Sequence, residues 1–373
     1  MRESVRSAVV RIGVVLEQLL SPVPGGTGRY AAEVAEALAR RPEVAVTGWV
    51  AWHRDVGPAT RDGVSGPRRL ALPRRPLIAA WERGLGPDPR AVDVLHAPTL
   101  LAPPRRSRPL VVTVHDAVPW THPETLTPRG VRWHRAMAER VARTADAVVV
   151  PTHAVRRALE PHLRLPHVVV VGEGVTPGLR ALPADAEARR RRLDLPDSGY
   201  LLSLATLEPR KGLDVLLAAL ADPAAPDLPL LVVGQPGWGG VDPARIAADL
   251  GLPAGRVRPL GRLPDADLAV VLRDATALVV PSRAEGYGLP VLEGMAAGTP
   301  VVTSDDPALV EVGADATRTA PVGDAAALAR ALAAVTDDAA MRAQMVSAGY
   351  LRAAATTWDS AAGELVSLYE GLA

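Results

Sequence analysis

Residues 282–303 read SRAEGYGLPVLEGMAAGTPVVT, and this stretch decides the fold of the second half of the chain. The apolar pair Val279–Val280 before it predicts the end of a strand, and Pro300–Thr303 predicts the next strand. Between them, Pro290 suits a first helical turn and Gly298 suits the position after a helix ends. A strand, a glycine-rich loop, a helix and a second strand together predict one unit of a parallel sheet.

The same alternation of short apolar strands with Ala- and Leu-rich helices runs along the whole chain. It begins with a strand over Val9–Leu16 and restarts with a strand over Tyr200–Leu204. Such strands are typical of parallel sheets that are covered on both faces. The sequence therefore predicts an α/β protein of two doubly wound, Rossmann-like domains that face an interdomain cleft. The predicted domains are residues 1–175 and 176–355, and a helix within 356–373 is predicted to pack back on the first domain.

Composition excludes several classes of function. The 373 residues include no cysteine, which excludes disulfides, thiolate metal sites and a cysteine nucleophile. No stretch approaches the roughly 18 uncharged apolar residues of a membrane-spanning helix. Arg11 and Glu17 interrupt the apolar N-terminal segment, which argues against a secretory signal. These features predict a cytoplasmic protein.

Charge is spread unevenly along the chain. Residues 1–175 carry 25 arginines against 16 acidic residues, and the remainder carries 17 basic against 25 acidic residues. A basic surface suits anionic lipid headgroups or a phosphorylated acceptor, so contact with the inner face of the membrane is one expectation. An ordinary solvated arginine-rich face is the alternative, and the near-neutral whole chain argues against nucleic acid. Two local clusters carry the excess: Arg68, Arg69, Arg74 and Arg75, and Arg105, Arg106 and Arg108.

Two carboxylates bracket the predicted helix start in residues 282–303. Glu285 lies in the loop, where Gly286 and Gly288 let a ligand approach the backbone closely. Glu293 lies about one turn into the helix, whose N-terminal N–H groups and partial positive charge suit a diphosphate. The two carboxylates would then accept hydrogen bonds from sugar and ribose hydroxyls. A surface loop with an ordinary glutamate near a helix start is the alternative interpretation.

A second segment, residues 204–214, reads LATLEPRKGLD and follows the first predicted strand of the second domain. It holds Lys211, the only lysine of the chain, beside Arg210. A lysine that persists in an arginine-rich chain indicates a site that requires a compact ammonium group. Adjacent cations between a strand and a helix neutralise a diphosphate without a metal and stabilise the charge that develops as it leaves. A Schiff-base lysine for pyridoxal phosphate is the alternative.

Other features carry weaker signals. His115 ends a predicted strand of the first domain, with Asp116 beside it to orient the ring, and a structural histidine is the alternative. Residues 24–29, PGGTGR, lack the full dinucleotide fingerprint, which argues against nicotinamide binding. No metal-ligand spacing is present, and we interpret Asp265-Ala-Asp267 as helix-capping residues. The run Arg189–Arg192 predicts a solvated helix face.

Together these segments resemble glycosyltransferase family 4, the retaining nucleotide-sugar transferases of the GT-B fold. The resemblance covers nearly the whole chain and is strongest over residues 201–303, where SRAEGYGLPVLEGMAAGTPVV is highly specific to that group. The stretches ATLEPRKGLDVLL, VVGQPGWGG, VHDAVPWTHPE and GGTGRY resemble its mannosyltransferase branch, which often uses GDP-mannose.

The resemblance implies a role for each candidate residue. Glu285 would bind hydroxyls of the donor sugar, and His115 would contact the same sugar from the first domain. Arg210 and Lys211 would hold the diphosphate, and Glu293 would bind the ribose. Gly26 would approach the phosphates or the acceptor. The remaining positions would hold the sugar and phosphate, or meet the base, through their backbone: Gly286, Tyr287, Gly288 and Leu289 for the former, and Arg262 and Leu263 for the latter.

Three positions depart from the family pattern. Tyr287 stands where Phe is common. Gly294 stands where Ala is common, which costs about 1 kcal/mol of helix propensity. Glu173-Gly174 replaces a more usual Asn-Gly turn, so no role for an asparagine amide carries over.

The resemblance implies transfer of a hexose from a nucleoside-diphosphate sugar, with GDP-mannose favoured, to a hydroxyl of a glycan, glycolipid or small molecule. Such a reaction proceeds with retention, needs no metal or other cofactor, and serves processes such as polysaccharide biosynthesis. Donors based on UDP, ADP or dTDP remain alternatives within this class. A nucleotide-sugar epimerase or hydrolase, or a non-catalytic nucleotide-sugar-binding protein, remains an alternative from another class.

Overall fold

The chain crosses twice between two structural units. The computed structural model describes residues 9–373, so the first eight residues of the predicted first domain lie outside the described part. One unit runs as far as Glu173 and includes Trp358–Ala373, and the other is Gly174–Thr357. The domain boundaries predicted from the sequence, 175/176 and 355/356, each lie two residues from the corresponding boundary in the structure.

The first unit contains a seven-stranded sheet whose strands all pair in parallel. The inner strands form because short Val- and Leu-rich runs are buried on both faces, as parallel sheets require. Their bounds are β1 Val10–Val15, β2 Val44–Trp52, β3 Ser65–Pro73, β4 Val94–Ala97, β5 Leu110–Thr113, β6 Ala147–Val150 and β7 His167–Val170. Their spatial order is β3-β2-β1-β4-β5-β6-β7.

Helices connect these strands, as the alternating pattern predicted. Their bounds are α1 Gly25–Ala39, α2 Arg74–Glu82, α3 Val118–Thr121, α4 Pro128–Thr144 and α5 His153–Leu159. Helix α1 begins three residues earlier than the predicted Gly28, so the predicted glycine-rich loop forms its first turn. Gly26 is therefore an exposed residue of that turn.

The second unit repeats this design with a six-stranded parallel sheet. Its strands are β8 Leu201–Leu204, β9 Leu230–Val233, β10 Val257–Gly261, β11 Ala277–Val280, β12 Val301–Ser304 and β13 Thr317–Ala320, in the order β10-β9-β8-β11-β12-β13. Its helices are α6 Ala186–Arg192, α7 Leu213–Leu220, α8 Pro243–Asp249, α9 Asp265–Asp274, α10 Leu289–Ala297, α11 Pro307–Gly313, α12 Ala325–Asp337 and α13 Ala339–Ala355. The prediction of two doubly wound, Rossmann-like domains is confirmed.

The last helix, α14 Trp358–Leu372, belongs to the first unit and packs against α1. The Trp358 ring lies edge-on to Tyr30 of α1, with ring centroids 5.9 Å apart. The hydroxyl of Tyr369 is hydrogen-bonded to Nδ1 of the buried His96 in β4 at 2.7 Å. These buried contacts make α14 part of the core of the first unit.

The parallel topology places the functional loops. Because all strands of a sheet run in one direction, their carboxyl ends share one edge. The strand order reverses between β1 and β4 in the first unit, and between β8 and β11 in the second. Open α/β sheets bind their ligands at such switch points. The loops after β8 and β11 are those that carry the predicted residues Lys211 and Glu285.

Candidate active site

Glu285 is the centre of a charged cluster at the switch point of the second unit. Its Oε1 accepts hydrogen bonds from Lys211 Nζ at 2.6 Å and from the Ser282 hydroxyl at 2.7 Å. Its Oε2 accepts from Arg210 Nη1 at 3.0 Å, and the same Nη1 donates to the Ala284 carbonyl at 2.8 Å. The three predicted residues Glu285, Arg210 and Lys211 are thus in direct contact, although 74 positions separate Lys211 from Glu285.

Two local features bring these loops together. Gly212 has a φ of 66°, and a Cβ added to it would lie 2.0 Å from the Pro281 carbonyl oxygen, so only glycine permits this approach. The Arg283 backbone N–H donates to the Arg210 carbonyl at 2.8 Å. The Arg283 guanidinium binds Asp214 through two hydrogen bonds of 2.8 and 2.6 Å. Arg210 and Lys211 are therefore fixed relative to Glu285 by the backbone as well as by their own charges.

The electrostatics of the cluster favour an ionised carboxylate. Burial opposes ionisation of Glu285, but the charges of Lys211 and Arg210 and the hydrogen bonds from Lys211 and Ser282 outweigh it and lower its pKa to about 2. Burial, and then the neighbouring Arg210 charge, lower the pKa of Lys211 from its ordinary value, while Glu285 opposes that change. With both cations charged, two positive groups face one negative group. The three groups in contact thus carry a net positive charge, which the nearby Glu208 carboxylate reduces.

Helix α10 begins directly after this cluster, as the sequence predicted. Gly288 caps its start with a φ of 96°, Pro290 lies in its first turn, and Gly298 caps its end with a φ of 78°. Glu293 lies on the helix one turn from its start and is buried. Residues 286–289, which the resemblance assigns to sugar and phosphate binding, thus lie between the charged cluster and the helix N-terminus.

Arg262 and Leu263 follow β10 at the same edge of the sheet, two strands away from β8. At about 4.8 Å per strand, this places them roughly 10 Å from the end of β8. The loop after β9 lies between them and packs tightly on the loop after β8, since a Cβ on Gly237 would lie 2.6 Å from Glu208 Cγ. The predicted base, phosphate and sugar positions therefore occur in this order along one edge.

His115 is the predicted site residue of the first unit, two residues after β5. Its Nε2 is hydrogen-bonded to the Pro98 carbonyl at 2.7 Å, and its Nδ1 lies 3.7 Å from Oε1 of the buried Glu173. Asp116 does not orient the ring as predicted, because its carboxylate accepts from the Val118 N–H at 3.0 Å and shapes the start of α3. Glu173 takes the place next to the imidazole that the sequence assigned to Asp116.

Two family models match the chain. The model described as glycosyl transferases group 1 matches residues 185–352, and the model described as Glycosyltransferase Family 4 matches residues 24–178. The chain is a family 4 glycosyltransferase. The two matches fall on the second and the first structural unit respectively, so each unit of the glycosyltransferase corresponds to one half of the family fold.

Curated relatives of this glycosyltransferase are transferases of several kinds. It is 28% identical to the O-antigen chain mannosyltransferase B of Escherichia coli, over 80% of this chain and 81% of that one. It is 35% identical to a D-inositol 3-phosphate glycosyltransferase of Stackebrandtia nassauensis, over 62% and 55% of the two chains. It is 40% identical to the phosphatidyl-myo-inositol mannosyltransferase of Mycolicibacterium smegmatis, over 44% and 42%. The chain thus spans about half of the length of the last two relatives.

Solved structures confirm the GT-B fold. The glycosyltransferase matches a sucrose-phosphate synthase from Thermosynechococcus elongatus with a TM-score of 0.75 and 22% identity, over 97% of this chain and 99% of that one. It matches HepE of Anabaena, solved in complex with UDP and glucose, with a TM-score of 0.75 and 19% identity, over 97% and 100%. At these identities the matches establish the fold.

Several charged residues have other roles than the sequence predicted. The run Arg189–Arg192 is solvated only in part: Arg191 and Arg192 are exposed, but Arg189 and Arg192 both bind Asp267 of α9, at 2.6 and 2.5 Å. Asp267 is therefore an ion-pair partner, and Pro264, which has no side-chain hydrogen bond, stands at the cap position of α9. This network joins α6 to α9, and Asp265 and Asp267 both lie in the first turn of α9 and not at its cap position.

The two basic clusters of the first unit also differ from each other. In the cluster of Arg105, Arg106 and Arg108, all three guanidinium groups lie within 3.3 Å of the carboxylates of Asp88 or Asp146. The three guanidinium groups share two carboxylates, so most of the charge of this cluster is balanced locally. In the other cluster, Arg68, Arg69 and Arg75 are exposed and have no carboxylate partner within residues 9–373.

Sequence reasoning missed two partners of the predicted site residues. Ser282 lies in the quoted stretch 282–303, but nothing in the pattern shows that its hydroxyl donates to Glu285. Glu173 gave a signal only through its departure from the Asn-Gly turn of the family.

Within residues 9–373, no group of three or more His, Asp or Glu side chains is arranged to hold a metal ion. No helix in the same range is long and apolar enough to cross a membrane.

Proposed function

We propose that this glycosyltransferase moves a hexose, with mannose from GDP-mannose favoured, to a hydroxyl of a glycan, glycolipid or small-molecule acceptor, with retention and without a metal. The observation that carries this proposal is the contact of Glu285 with Arg210 and Lys211 at the switch point of a parallel sheet. Two cations and a carboxylate at this edge match the needs of a sugar diphosphate, whose phosphates are anionic and whose sugar donates hydroxyls.

The cations supply the main chemical contribution. During transfer, the bond between the anomeric carbon and the diphosphate oxygen breaks, and the electron pair leaves with the diphosphate. Arg210, Lys211 and the N-terminus of α10 stabilise the negative charge that develops there. The acceptor hydroxyl attacks the anomeric carbon on the face that the diphosphate leaves, and its proton passes to a phosphate oxygen. Each bond formed is matched by one broken, and the sugar keeps its anomeric configuration.

Glu285 has a second role before the donor binds. It pairs with both cations at 2.6 and 3.0 Å and so holds them in the positions that the diphosphate needs. When phosphate oxygens approach the same cations, the Glu285 carboxylate becomes available to accept hydrogen bonds from the sugar hydroxyls. Because its pKa is lowered to about 2, Glu285 stays ionised throughout the physiological pH range.

The mannosyltransferases among the relatives support mannose as the sugar, whereas several relatives named D-inositol 3-phosphate glycosyltransferases leave other donors as the alternative. Two of the three curated relatives named above are mannosyltransferases, and the third is a D-inositol 3-phosphate glycosyltransferase. Their names also include an O-antigen chain and a phosphatidyl-myo-inositol, so we propose a glycan or lipid-linked acceptor. A UDP-, ADP- or dTDP-sugar donor is the alternative, because the contacts proposed for the base are largely made by backbone.

The unpaired basic cluster supports a proposed site for contact with an anionic acceptor or the membrane surface. Arg68, Arg69 and Arg75 are exposed on β3 and α2. Arg68 lies over the Trp49 ring at 5.8 Å, which keeps this guanidinium on one side of the sheet edge. Anionic headgroups are attracted to such clusters by about 1 kcal/mol per basic residue. We therefore propose that the protein acts in the cytoplasm, at the inner face of the membrane.

Calorimetric titration of the protein in EDTA with GDP, UDP, ADP and dTDP tests the donor. Selective GDP binding is expected, and a Lys211→Ala variant is expected to weaken it, because the diphosphate loses a cation. Selective binding of another nucleotide would overturn GDP-mannose and keep the diphosphate site. Binding that requires Mg²⁺ would contradict metal independence, and binding without transfer to any acceptor would favour a non-catalytic protein. An Arg245→Ala variant is the matched control, since Arg245 lies on α8 away from the cluster.

A further inference from the structure

Each ring nitrogen of His115 faces an oxygen atom, at hydrogen-bond distance for Nε2 and at ion-pair distance for Nδ1. Nε2 lies 2.7 Å from the carbonyl oxygen of Pro98, directly after β4. A carbonyl oxygen can only accept a hydrogen bond, so Nε2 carries a proton. A neutral imidazole has one N–H, and Nδ1 would then present a lone pair.

Nδ1 faces a carboxylate. Oε1 of Glu173 lies 3.7 Å from it, and the Glu173 side chain is 5% exposed. A lone pair on Nδ1 would face an anion at this distance in a site of low dielectric, which is unfavourable. A second proton on Nδ1 turns the repulsion into an attraction. The two contacts of the ring therefore favour the doubly protonated imidazolium form of His115.

We propose that Glu173 is a positioning residue that holds His115 as a cation in a fixed orientation at the carboxyl end of β5. With its two N–H groups directed at Pro98 and Glu173, His115 has no further N–H for the donor sugar. It would then contribute to transfer through its positive charge and not as a proton donor. This last step rests on the proposed function, whereas the protonation state of His115 does not.

The other groups around the ring agree with this assignment. The Tyr30 ring of α1 meets the imidazole edge-on with centroids 4.8 Å apart, and burial raises the pKa of its hydroxyl, so it stays neutral. Burial lowers the pKa of His96 to about 3, so this neighbour adds no positive charge near neutrality. Asp116 is engaged with the Val118 N–H and adds a negative charge. Glu173 is therefore the carboxylate that faces Nδ1.

The pKa of His115 supports the geometry. Burial alone would lower it, but the facing Glu173 carboxylate, the Pro98 carbonyl and the Asp116 charge together raise it above its ordinary value of 6.5. An asparagine, which is more usual in the family at position 173, would supply no negative charge. The cation at His115 is thus a consequence of this chain's own residue.

Long-range ¹H–¹⁵N spectra of the full chain with ¹⁵N-labelled histidine test the assignment, with the His115 signal identified from a His115→Gln variant. We expect both ring nitrogens of His115 to be protonated at pH 6.5 and its midpoint to lie above 6.5. In a Glu173→Gln variant the midpoint should fall by about one unit or more. Glu173→Asp keeps the charge and should keep a raised midpoint, which separates charge from packing. Glu160→Gln, an exposed glutamate paired with Arg156, is the control and should change nothing.

A neutral His115 in the unmodified protein, or a midpoint that Glu173→Gln leaves unchanged, would overturn the proposal. Initial rates of transfer between pH 6 and 9 test the claim that the positive charge of His115 contributes to catalysis. We expect Glu173→Gln to lose kcat as His115 deprotonates, by about tenfold at pH 8, with the donor KM unchanged. Identical pH profiles for the unmodified protein and Glu173→Gln would overturn the claim that the charge of His115 contributes to catalysis. If no donor supports transfer, the proposed function fails, and the spectra still decide the role of Glu173.

Discussion

The carboxyl edges of the two sheets hold their charges by different means. In the second unit, Glu285 lies between two cations at 2.6 and 3.0 Å, and the loops that carry them meet through their backbone. In the first unit, one pair of His115 and Glu173 at 3.7 Å adjoins a chain of neutral hydrogen bonds. That chain is formed by Tyr369, His96, Thr113 and Tyr30.

The difference shows that the same fold can hold charges that are constant near neutral pH and charges that depend on pH. Lysine and arginine beside an ionised carboxylate keep their charges across the physiological pH range, which suits the binding of a diphosphate that is always anionic. A histidine beside a carboxylate changes its charge within that range. We therefore expect the second unit to lose stability or activity when a charge or a close contact is removed. We expect the first unit to lose stability when a buried hydrogen bond is removed.

The largest effect is expected at Gly212, whose conformation brings the two loops of the second unit together. In Gly212→Ala the new Cβ would lie 2.0 Å from the Pro281 carbonyl, so the loops must separate. We expect a loss of about 3 to 5 kcal/mol in the free energy of unfolding, measured by urea denaturation, and a loss of transfer. Gly251→Ala is the control, because Gly251 has a similar φ of 69° with nothing within 4 Å. Equal losses in both variants would show that backbone strain, and not the close approach, matters at Gly212.

Acid should destabilise the second unit through Glu285. Its pKa is about 2 in the folded chain, below the ordinary 4.5, so its contribution is complete above pH 4.5 and is lost as the pH falls through 2. We expect a loss of about 3 kcal/mol over this window, as the linkage relation gives for such a shift. Urea denaturation at a series of pH values, compared with Glu285→Gln, measures it. A variant that loses stability as steeply as the unmodified protein would contradict the ionised, doubly paired Glu285.

Glu285→Gln should also separate binding from turnover. The amide keeps one acceptor oxygen but loses the negative charge and the second acceptor oxygen, so it binds sugar hydroxyls less strongly. It also no longer neutralises Arg210 and Lys211, which remain available for the diphosphate. We expect transfer to fall by about a hundredfold or more, which is roughly 2.7 kcal/mol, while nucleoside-diphosphate affinity is kept or increased. Rate assays and calorimetry on the same preparations measure the two effects. A parallel loss of affinity and rate would contradict the sugar-binding role of Glu285.

A smaller effect is expected from Tyr369→Phe in the first unit. This change removes the hydrogen-bond partner of His96 Nδ1 in a fully buried site. An unsatisfied buried group costs about 1 to 3 kcal/mol, so thermal denaturation should show a lower melting temperature. Tyr350→Phe is the control, since its hydroxyl is in a half-exposed residue and makes a 3.3 Å contact with Arg273. A Tyr369→Phe variant as stable as that control would show that this series of neutral hydrogen bonds contributes little to the stability of the first unit.

The sequence predicted the inner elements of both sheets and one edge strand of each, β7 and β10, but missed the opposite edge strands. Helix α10 was expected from Pro290 and Gly298, and the structure confirms it together with its flanking strands. Strands β3 and β13 were not predicted. Both lie at the edge of a sheet, where one side needs no partner and exposed residues such as Arg68 and Arg318 replace the apolar run. An edge strand is therefore found from the sequence only where it keeps a short apolar run, as β7 does with Val168–Val170.

The members of the candidate site could be predicted more readily than their contacts. Glu285, Arg210 and Lys211 stand in recognisable loops, but their ion pairs depend on β8 and β11 being neighbours, which the order along the chain does not reveal. Gly294 was interpreted as a cost in helix propensity. The structure shows that a Cβ there would lie 2.7 Å from Leu278 and 3.0 Å from Val301, so glycine permits α10 to pack closely on its sheet.

The return of α14 to the first unit has a consequence for the order in which the protein is made. Tyr30 and His96 belong to the early part of the chain, yet their buried neighbours Trp358 and Tyr369 emerge from the ribosome only after the whole second unit. The second unit, Gly174–Thr357, contains all of its strands before that point. During synthesis, the part that begins first is therefore completed last, and its polar core stays uncovered until residue 369 has been added.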